Sequence, residues 1–360
     1  MQNPDTQQLT FNPARLAHWS IILTALVLFL VVAKPILLPM AIAFLLWALL
    51  DAIRNFLLKH VPAQWPMSRG IVTFTALVIL IAGNMLVLLV VVAQLEALSE
   101  AWPEYHAKLL PLVSDVSARL GMEEVPRVAT MLEKMDVGSV VGWAGSTAGS
   151  MFGNLMLVAL YLGFMLAEEK ILTKKSRAFS SNPAKSERIA GFSEEISGRI
   201  QLYIGMKTAV SALTGFLAYL LLLWVGVDFA ALWGLLIFML NFIPNVGSML
   251  GVAFPALLSL IQFDGVTPFL IVTFGLIVIN FFVGNIVEPA YMGKELNLSP
   301  LMILFSLSAW GAVWGLAGMF LSVPLMVVTA IVCSHFKGLS WISVMLSADG
   351  NIVQHNMRTE

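Results

Sequence analysis

Two asparagines flank a proline within a long uncharged run in the second half of the chain. Asn241 and Asn245 are four residues apart, with Pro244 between them and Gly247 just beyond. Because proline cannot continue a helix interior, a helix should break here and free backbone carbonyls. The amides could bind a polar substrate or a cation, or they could cap the broken helix ends and bond neighbouring helices. Both interpretations stay open.

A carboxylate ends the next uncharged run. Glu288 follows Gly265–Val287, with Asn285 before it and Pro289 after it. A charged side chain at the centre of a membrane helix costs ~2.5–3.5 kcal/mol, so it usually has a partner or carries protons. Glu288 is therefore a candidate for proton or cation coupling. In the structural alternative, Lys294 pairs with it in a salt bridge.

Other kinds of site chemistry lack a pattern. The five histidines show no metal-ligand spacing, and Cys333 is the only cysteine. The sequence contains no HExxH, P-loop or dinucleotide fingerprint. A formal net charge of -1 gives no overall basic field for nucleic acid. We therefore expect no metal, no cofactor, no nucleic-acid partner and no enzymatic activity.

The composition is that of a membrane protein. Hydrophobic residues make up 59% of the chain and charged residues only 11%, so lipid must cover part of the surface. Long unbroken apolar runs favour helices over a barrel of short alternating strands. The sequence predicts an all-α, multi-pass helical bundle. Its uncharged runs are residues 19–33, 36–50, 71–93, 137–167, 208–227, 229–263, 265–287 and 296–336.

Charge in the loops predicts the orientation. Glu168–Lys207 holds eight bases, whereas Gln94–Asp136 holds eight acids against four bases. Basic loops are retained in the cytoplasm, so the first segment should lie inside and the second outside, with both termini cytoplasmic. A tight turn is expected at Lys34-Pro35. The outer segment also carries an amphipathic stripe, which should pack on its own membrane domain or on another subunit: Leu109, Val113, Val116 and Leu120.

Two apolar runs are long but interrupted, and each predicts a re-entrant hairpin. The first is broken at Asn241–Gly247. The second has a short arm through Leu307, a glycine-rich break at Trp310–Gly318 and a return arm interrupted by Pro324. Each hairpin follows a span, and the two spans run in opposite directions. Such inverted repeats with broken helices are typical of secondary transporters. The predicted hinge or packing residues are Pro289, Gly311, Gly315, Gly318 and Pro324.

These patterns divide the chain into five parts. Residues 1–93 form a cytoplasmic tail and scaffold helices, and 94–150 an extracytoplasmic amphipathic segment. Residues 151–207 form a membrane helix and basic linker. Residues 208–336 form the transport unit of two span-plus-hairpin repeats, and 337–360 a cytoplasmic tail.

The same residues resemble the autoinducer-2 exporter family of bacterial inner-membrane, permease-like transporters. The resemblance covers nearly the whole chain and is most specific in these segments: Asn241–Ser248, Gly284–Pro289 with Met292 and Gly293, Leu298–Pro300, and Trp310-Gly311 through Gly315, Gly318 and Pro324. It implies export, with autoinducer-2 as one substrate, while some relatives are sodium(lithium)/proton antiporters. It also implies a homo-oligomer, for which a pentamer is one arrangement.

We therefore expect a secondary transporter that exports a small polar signalling molecule, with cation/proton antiport as the alternative. A membrane scaffold without transport activity is the alternative from a different class. It predicts that changes in Asn241–Gly247 leave cell physiology unaltered while changes in the external helix do not.

Overall fold

The chain is helical throughout the part that the structure describes. A computed structural model describes residues 13–60, 68–120, 155–169, 171, 183–292, 297–336 and 338–350, and these residues contain no strand. The predicted all-α class is thus confirmed. Five of the described helices are long and apolar enough to cross a membrane: Lys34–His60, Arg69–Lys108, Glu195–Val225, Val266–Tyr291 and Leu316–His335.

The first two helices join end to end at Ala33, where the Ala33 N–H bonds to the Phe29 carbonyl and the Leu37 N–H bonds to the Ala33 carbonyl, so a tight pair packed side by side stays a prediction. Helix α1 spans Pro13–Val32 and α2 spans Lys34–His60. The turn lies at Ala33, one residue before the predicted Lys34-Pro35 turn. Proline is well tolerated in the first turn of a helix, where its missing N–H has no helical partner in any case. Pro35 therefore lies in the first turn of α2 instead of separating the two helices.

Helix α3 spans Arg69–Leu120 and continues well past the predicted end of its apolar run at Ala93. Two prolines, Pro103 and Pro111, lie inside it. Its extension contacts the first hairpin of the same chain. The side chains of the amphipathic stripe, from Leu109 onward, lie outside the described residues, so their partner surface stays a prediction.

One cluster ties the α3 extension to the second half of the chain. The hydroxyl of Tyr105 donates a hydrogen bond to the carboxylate of Asp228, and the Tyr105 ring meets the ring of Phe229 edge-on at 6.2 Å. The Asp228 N–H donates to Gln262 Oε1 at 2.8 Å, and Gln262 Nε2 donates to the Gly226 carbonyl at 2.8 Å. The loop before the first hairpin is therefore held from two sides.

Helix α4, residues 155–169, packs against α2 and α3 through a small apolar core. An ionic cluster joins its last residue to α2. Arg54 of α2 makes two hydrogen bonds to the Glu169 carboxylate, at 2.8 and 3.1 Å, and also pairs with Asp51. This cluster fixes one end of α4 on α2.

The second half contains the long helix and the first broken pair. Helix α5 spans Pro183–Val225, α6 Ala230–Leu240 and α7 Val246–Gln262. The predicted break at Asn241–Gly247 is thus confirmed as the non-helical residues 241–245. Helix α6 crosses α5 closely, since a Cβ added at Gly215 would lie 2.5 Å from the carbonyl oxygen of Gly234. Small residues allow this approach.

The next span is one continuous helix that contains a π-helical turn. Helix α8 spans Val266–Phe282, a π-helical turn spans Val283–Val287, and α9 spans Glu288–Met292. The predicted span over 265–287 is thus present, and it extends about one turn further.

The second hairpin differs from its prediction. Helix α10 spans Pro300–Trp314, so its arm extends past Leu307. The break is Gly315 alone, with φ at 68°, and not the whole Trp310–Gly318 segment. Helix α11 spans Leu316–His335 and runs through Pro324 without interruption, and α12 spans Ser340–Leu346. Membrane helices accommodate proline when neighbouring helices cover the altered backbone, and Pro324 is buried. Re-entry of either hairpin into the bilayer stays a prediction.

Candidate transport site

A buried ion pair joins α5 to α9. Lys207 Nζ lies 2.7 Å from Glu288 Oε1, and the two side chains are only 8% and 24% exposed. A lysine is almost never this buried without a charged partner. Lys294, the partner considered from the sequence, lies outside the described residues. Lys207 is therefore a site residue that sequence spacing missed.

The π turn determines where Glu288 points. Val283 is 1% exposed and lies where this helix contacts α5. The N–H of Glu288 donates to the Val283 carbonyl, five residues back, where an α-helix would bond four residues back. Glu288 thus takes the position that α-helical spacing would give to Val287. The extra residue directs the carboxylate at Lys207.

Lys207 begins a buried polar stripe on one face of α5. Ser211 and Thr214 follow it at spacings of four and three residues, and their exposed fractions are 0% and 1%. The Thr214 hydroxyl is satisfied within α5 by the Val210 carbonyl at 2.9 Å. The stripe therefore carries one ammonium group and one hydroxyl that is bonded to a residue outside α5.

That hydroxyl is reached by the break in the first hairpin. Asn241 Nδ2 donates to Ser211 Oγ at 3.0 Å. Because Lys207 and Ser211 are four residues apart on α5, their side chains are neighbours on one helix face. The structure therefore brings Asn241 and Glu288, two of the sequence candidates, onto the same buried stripe.

The backbone of the break is bonded within itself. The Leu240 carbonyl accepts from the Ile243 N–H at 2.8 Å, and the Ile243 carbonyl accepts from the Gly247 N–H at 3.0 Å. A Cβ at Gly247 would overlap the Leu240 carbonyl, so only glycine fits the turn. The Pro244 carbonyl accepts a hydrogen bond from the Val246 N–H at 2.7 Å. The side-chain amide of Asn241 is thus the polar group that the break directs at α5.

The other two asparagine candidates lie apart from this stripe. Asn245 has φ at 61°, is exposed and makes no side-chain cap bond to its helix. Asn285 is also exposed, and its amide donates to the Phe281 carbonyl of its own helix at 3.0 Å. Pro289 lies in α9 directly after Glu288 and is exposed.

The two helix breaks meet through an aromatic contact. The ring of Phe242, in the first break, stacks on Phe320 of α11 with centroids 4.5 Å apart. Near the second break, a Cβ at Gly311 would meet the Met319 side chain, and one at Gly318 would overlap the Trp310 carbonyl. These glycines allow close packing of α10 on α11, while Gly315 makes the turn. The second hairpin thus supports the first without adding a polar group to the described stripe.

Comparison with known proteins identifies the family. The model of the AI-2E family transporters matches residues 20–338. The "AI-2 transport protein TqsA" of Escherichia coli (strain K12) is 31% identical over 310 residues, which are 85% of this chain and 89% of that protein. The "Sodium-lithium/proton antiporter" of Halobacillus andaensis is 25% identical over 217 residues, 60% of each chain. The chain therefore belongs to the AI-2E family of membrane transporters.

Proposed function

We propose that the protein is a secondary transporter of the bacterial inner membrane that exports a small polar signalling molecule such as autoinducer-2. The observation that carries this proposal is the buried polar stripe of α5, which meets Asn241 at one helix break and Glu288 beside the π turn. Buried polar groups between broken helices are how many transporters bind substrate at membrane depth. The name of the Escherichia coli relative supports autoinducer-2 as the substrate to test first.

Each group has a distinct role in this proposal. The Asn241 amide and the Ser211 hydroxyl exchange their mutual hydrogen bond for bonds to a hydroxylated substrate. Pro244 and Gly247 keep the break in the shape that presents the amide. The Lys207–Glu288 pair supplies the coupling step, because a proton or cation that binds the carboxylate releases the ammonium group.

Efflux from proteoliposomes tests the substrate and the site together. Vesicles with purified protein and internal autoinducer-2 should release it faster than protein-free vesicles. Asn241→Leu should slow release about three- to tenfold, since one neutral hydrogen bond contributes ~0.5–1.5 kcal/mol. Asn280→Leu is the matched control, because the Asn280 amide donates only to Leu276 of its own helix. Equal effects of both variants, or no release by the wild type, would refute the proposal.

Sodium(lithium)/proton antiport is the second candidate function. The specific observation in its favour is the buried ion pair, because a carboxylate beside a replaceable ammonium group is suited to cation and proton exchange. Vesicles that contain sodium and a pH-sensitive dye, with no organic substrate, distinguish the two functions. Proton movement driven by the sodium gradient supports antiport, and its absence together with autoinducer-2 release supports export.

The proposal includes topology and assembly. Both termini lie in the cytoplasm, with the acidic segment Gln94–Asp136 outside, as the loop charges predict. The transport unit works within a homo-oligomer. Cross-linking of the purified protein followed by mass measurement gives the number of copies.

A further inference from the structure

A deep groove separates α2 from α5 on one side of the ion pair. Its volume is about 950 Å³, and most of the surface that lines it is apolar. The two helices touch within the lining of the groove, where a Cβ at Gly205 would lie 2.9 Å from Cβ of Ala52. Ligand sites in proteins commonly have volumes of ~300–1,000 Å³, so the groove is large enough for a sizeable occupant.

Three of the four polar side chains that line the groove lie toward one end, and the fourth, Thr208, lies between the two ends. Asn55 lies near the C-terminal end of α2, Gln201 in the first half of α5 and Tyr291 in α9. The loop charges predict that the C-terminal end of α2 and the N-terminal end of α5 both lie in the cytoplasm, so the two helices run in opposite directions, with Gly205 facing Ala52. Leu49 and Leu213 therefore line the opposite, apolar end. The groove is amphipathic along its length.

Its length and its rim fit one leaflet of a bilayer. The lining residues of α5 extend from Gly198 to Leu213, about 22 Å at 1.5 Å per residue. Half of a ~30 Å hydrocarbon core plus part of the headgroup region is of similar depth. On the rim, Phe56 is 62% and Tyr291 68% exposed. Aromatic side chains this exposed on candidate membrane spans face lipid or the membrane interface.

We propose that this groove binds one phospholipid of the leaflet that holds the C-terminal end of α2. The headgroup lies at the polar end, close to Lys59, which is one helical turn beyond Asn55. The acyl chain lies along α5 toward Leu213. The inference is independent of the transported substrate. Because Val287 lines the groove, the acyl chain of the bound lipid also contacts the π turn that positions Glu288 in the ion pair.

Photo-cross-linking tests the site in full-length protein. We would reconstitute it in nanodiscs of phosphatidylethanolamine and phosphatidylglycerol that contain a trace of phosphatidylethanolamine with a diazirine on its acyl chain. Ala212 lines the groove and is exposed, so Ala212→Phe should fill the apolar end without clashing with the core. Ala253→Phe, an equal enlargement of an exposed alanine on α7 outside the groove, is the matched control.

The proposal expects cross-links in the wild type on the groove segments of α2 and α5. Ala212→Phe should reduce them about tenfold, which corresponds to ~1.4 kcal/mol of binding free energy, while Ala253→Phe leaves them unchanged. Thermal melting of both variants confirms that they are folded. Cross-links spread evenly over all exposed helices would overturn the proposal. A wild type without lipid adducts, together with disulfide formation between two copies of Phe56→Cys in a Cys333→Ala background, would also overturn it and would assign the groove to a subunit interface.

Discussion

The ion pair between Lys207 and Glu288 gives the sharpest prediction, because it separates a structural role from a coupling role. Lys207→Met leaves the carboxylate partly buried without its cation. Removing one member of a buried pair typically costs ~3–5 kcal/mol. Since the Glu288 side chain is 24% exposed, water offsets part of this cost. We expect the free energy of unfolding to fall by about 2–3 kcal/mol.

The double variant Lys207→Met, Glu288→Gln removes both charges and so leaves neither one unpaired. Its loss of stability should be smaller than the sum of the two single losses, with a coupling energy of ~1–3 kcal/mol. It should therefore assemble well enough for its transport to be measured. Thermal unfolding in detergent gives the stability, and efflux from proteoliposomes at several pH values gives the function.

If Glu288 carries coupling, Glu288→Gln abolishes the pH dependence of transport in protein that is still assembled. The double variant then recovers stability but not pH dependence. The reasoning is refuted if the double variant recovers transport with the wild-type pH profile. In that case the pair is a structural salt bridge, and the coupling group lies elsewhere.

Three further predictions test the other parts of the molecule. Tyr105→Phe removes a hydrogen bond to a carboxylate, so we expect a loss of about 1–2 kcal/mol and faster hydrogen exchange in the loop before α6. Gly247→Ala should cost more than ~3 kcal/mol in detergent melting because its Cβ overlaps backbone, whereas Gly163→Ala, which has open space around it, should be nearly neutral. Single cysteines at Lys174 and Glu123, in a cysteine-free background, should be respectively protected from and labelled by an impermeant reagent on intact cells.

The first helix break could be predicted from the sequence because its causes are local. Pro244 forbids helix continuation, and the residues that the turn requires lie within a few positions of it. The predicted length of the second break was too large, because its glycines do not by themselves indicate where the helix ends. Glycine suits both a turn and a close helix contact, and only the structure distinguishes Gly315, with its positive φ, from Gly311 and Gly318 at packed positions.

Lys207, the member of the site that the sequence analysis did not identify, could not be predicted from spacing along the chain. Lys207 ends a basic stretch, so the sequence indicates an interfacial charge there and nothing more. Its partner is 81 residues away. The contact between them depends on how α5 packs against α8 and α9, and that packing is a property of the whole bundle. Ser211, which looks like an ordinary residue of an apolar helix, was missed for the same reason.

The π turn determines which side chain of this helix faces α5. With α-helical spacing, Val287 would follow Val283 on the face toward α5, and Glu288 would lie about 100° away around the helix. The bond from the Glu288 N–H to the Val283 carbonyl shifts the register by one residue and turns the carboxylate inward. π turns are rare, occur mostly as single turns inside α-helices and are frequently found at functional sites. The turn therefore brings the carboxylate to the buried lysine, and the double variant distinguishes a pair that couples transport from one that only stabilises the bundle.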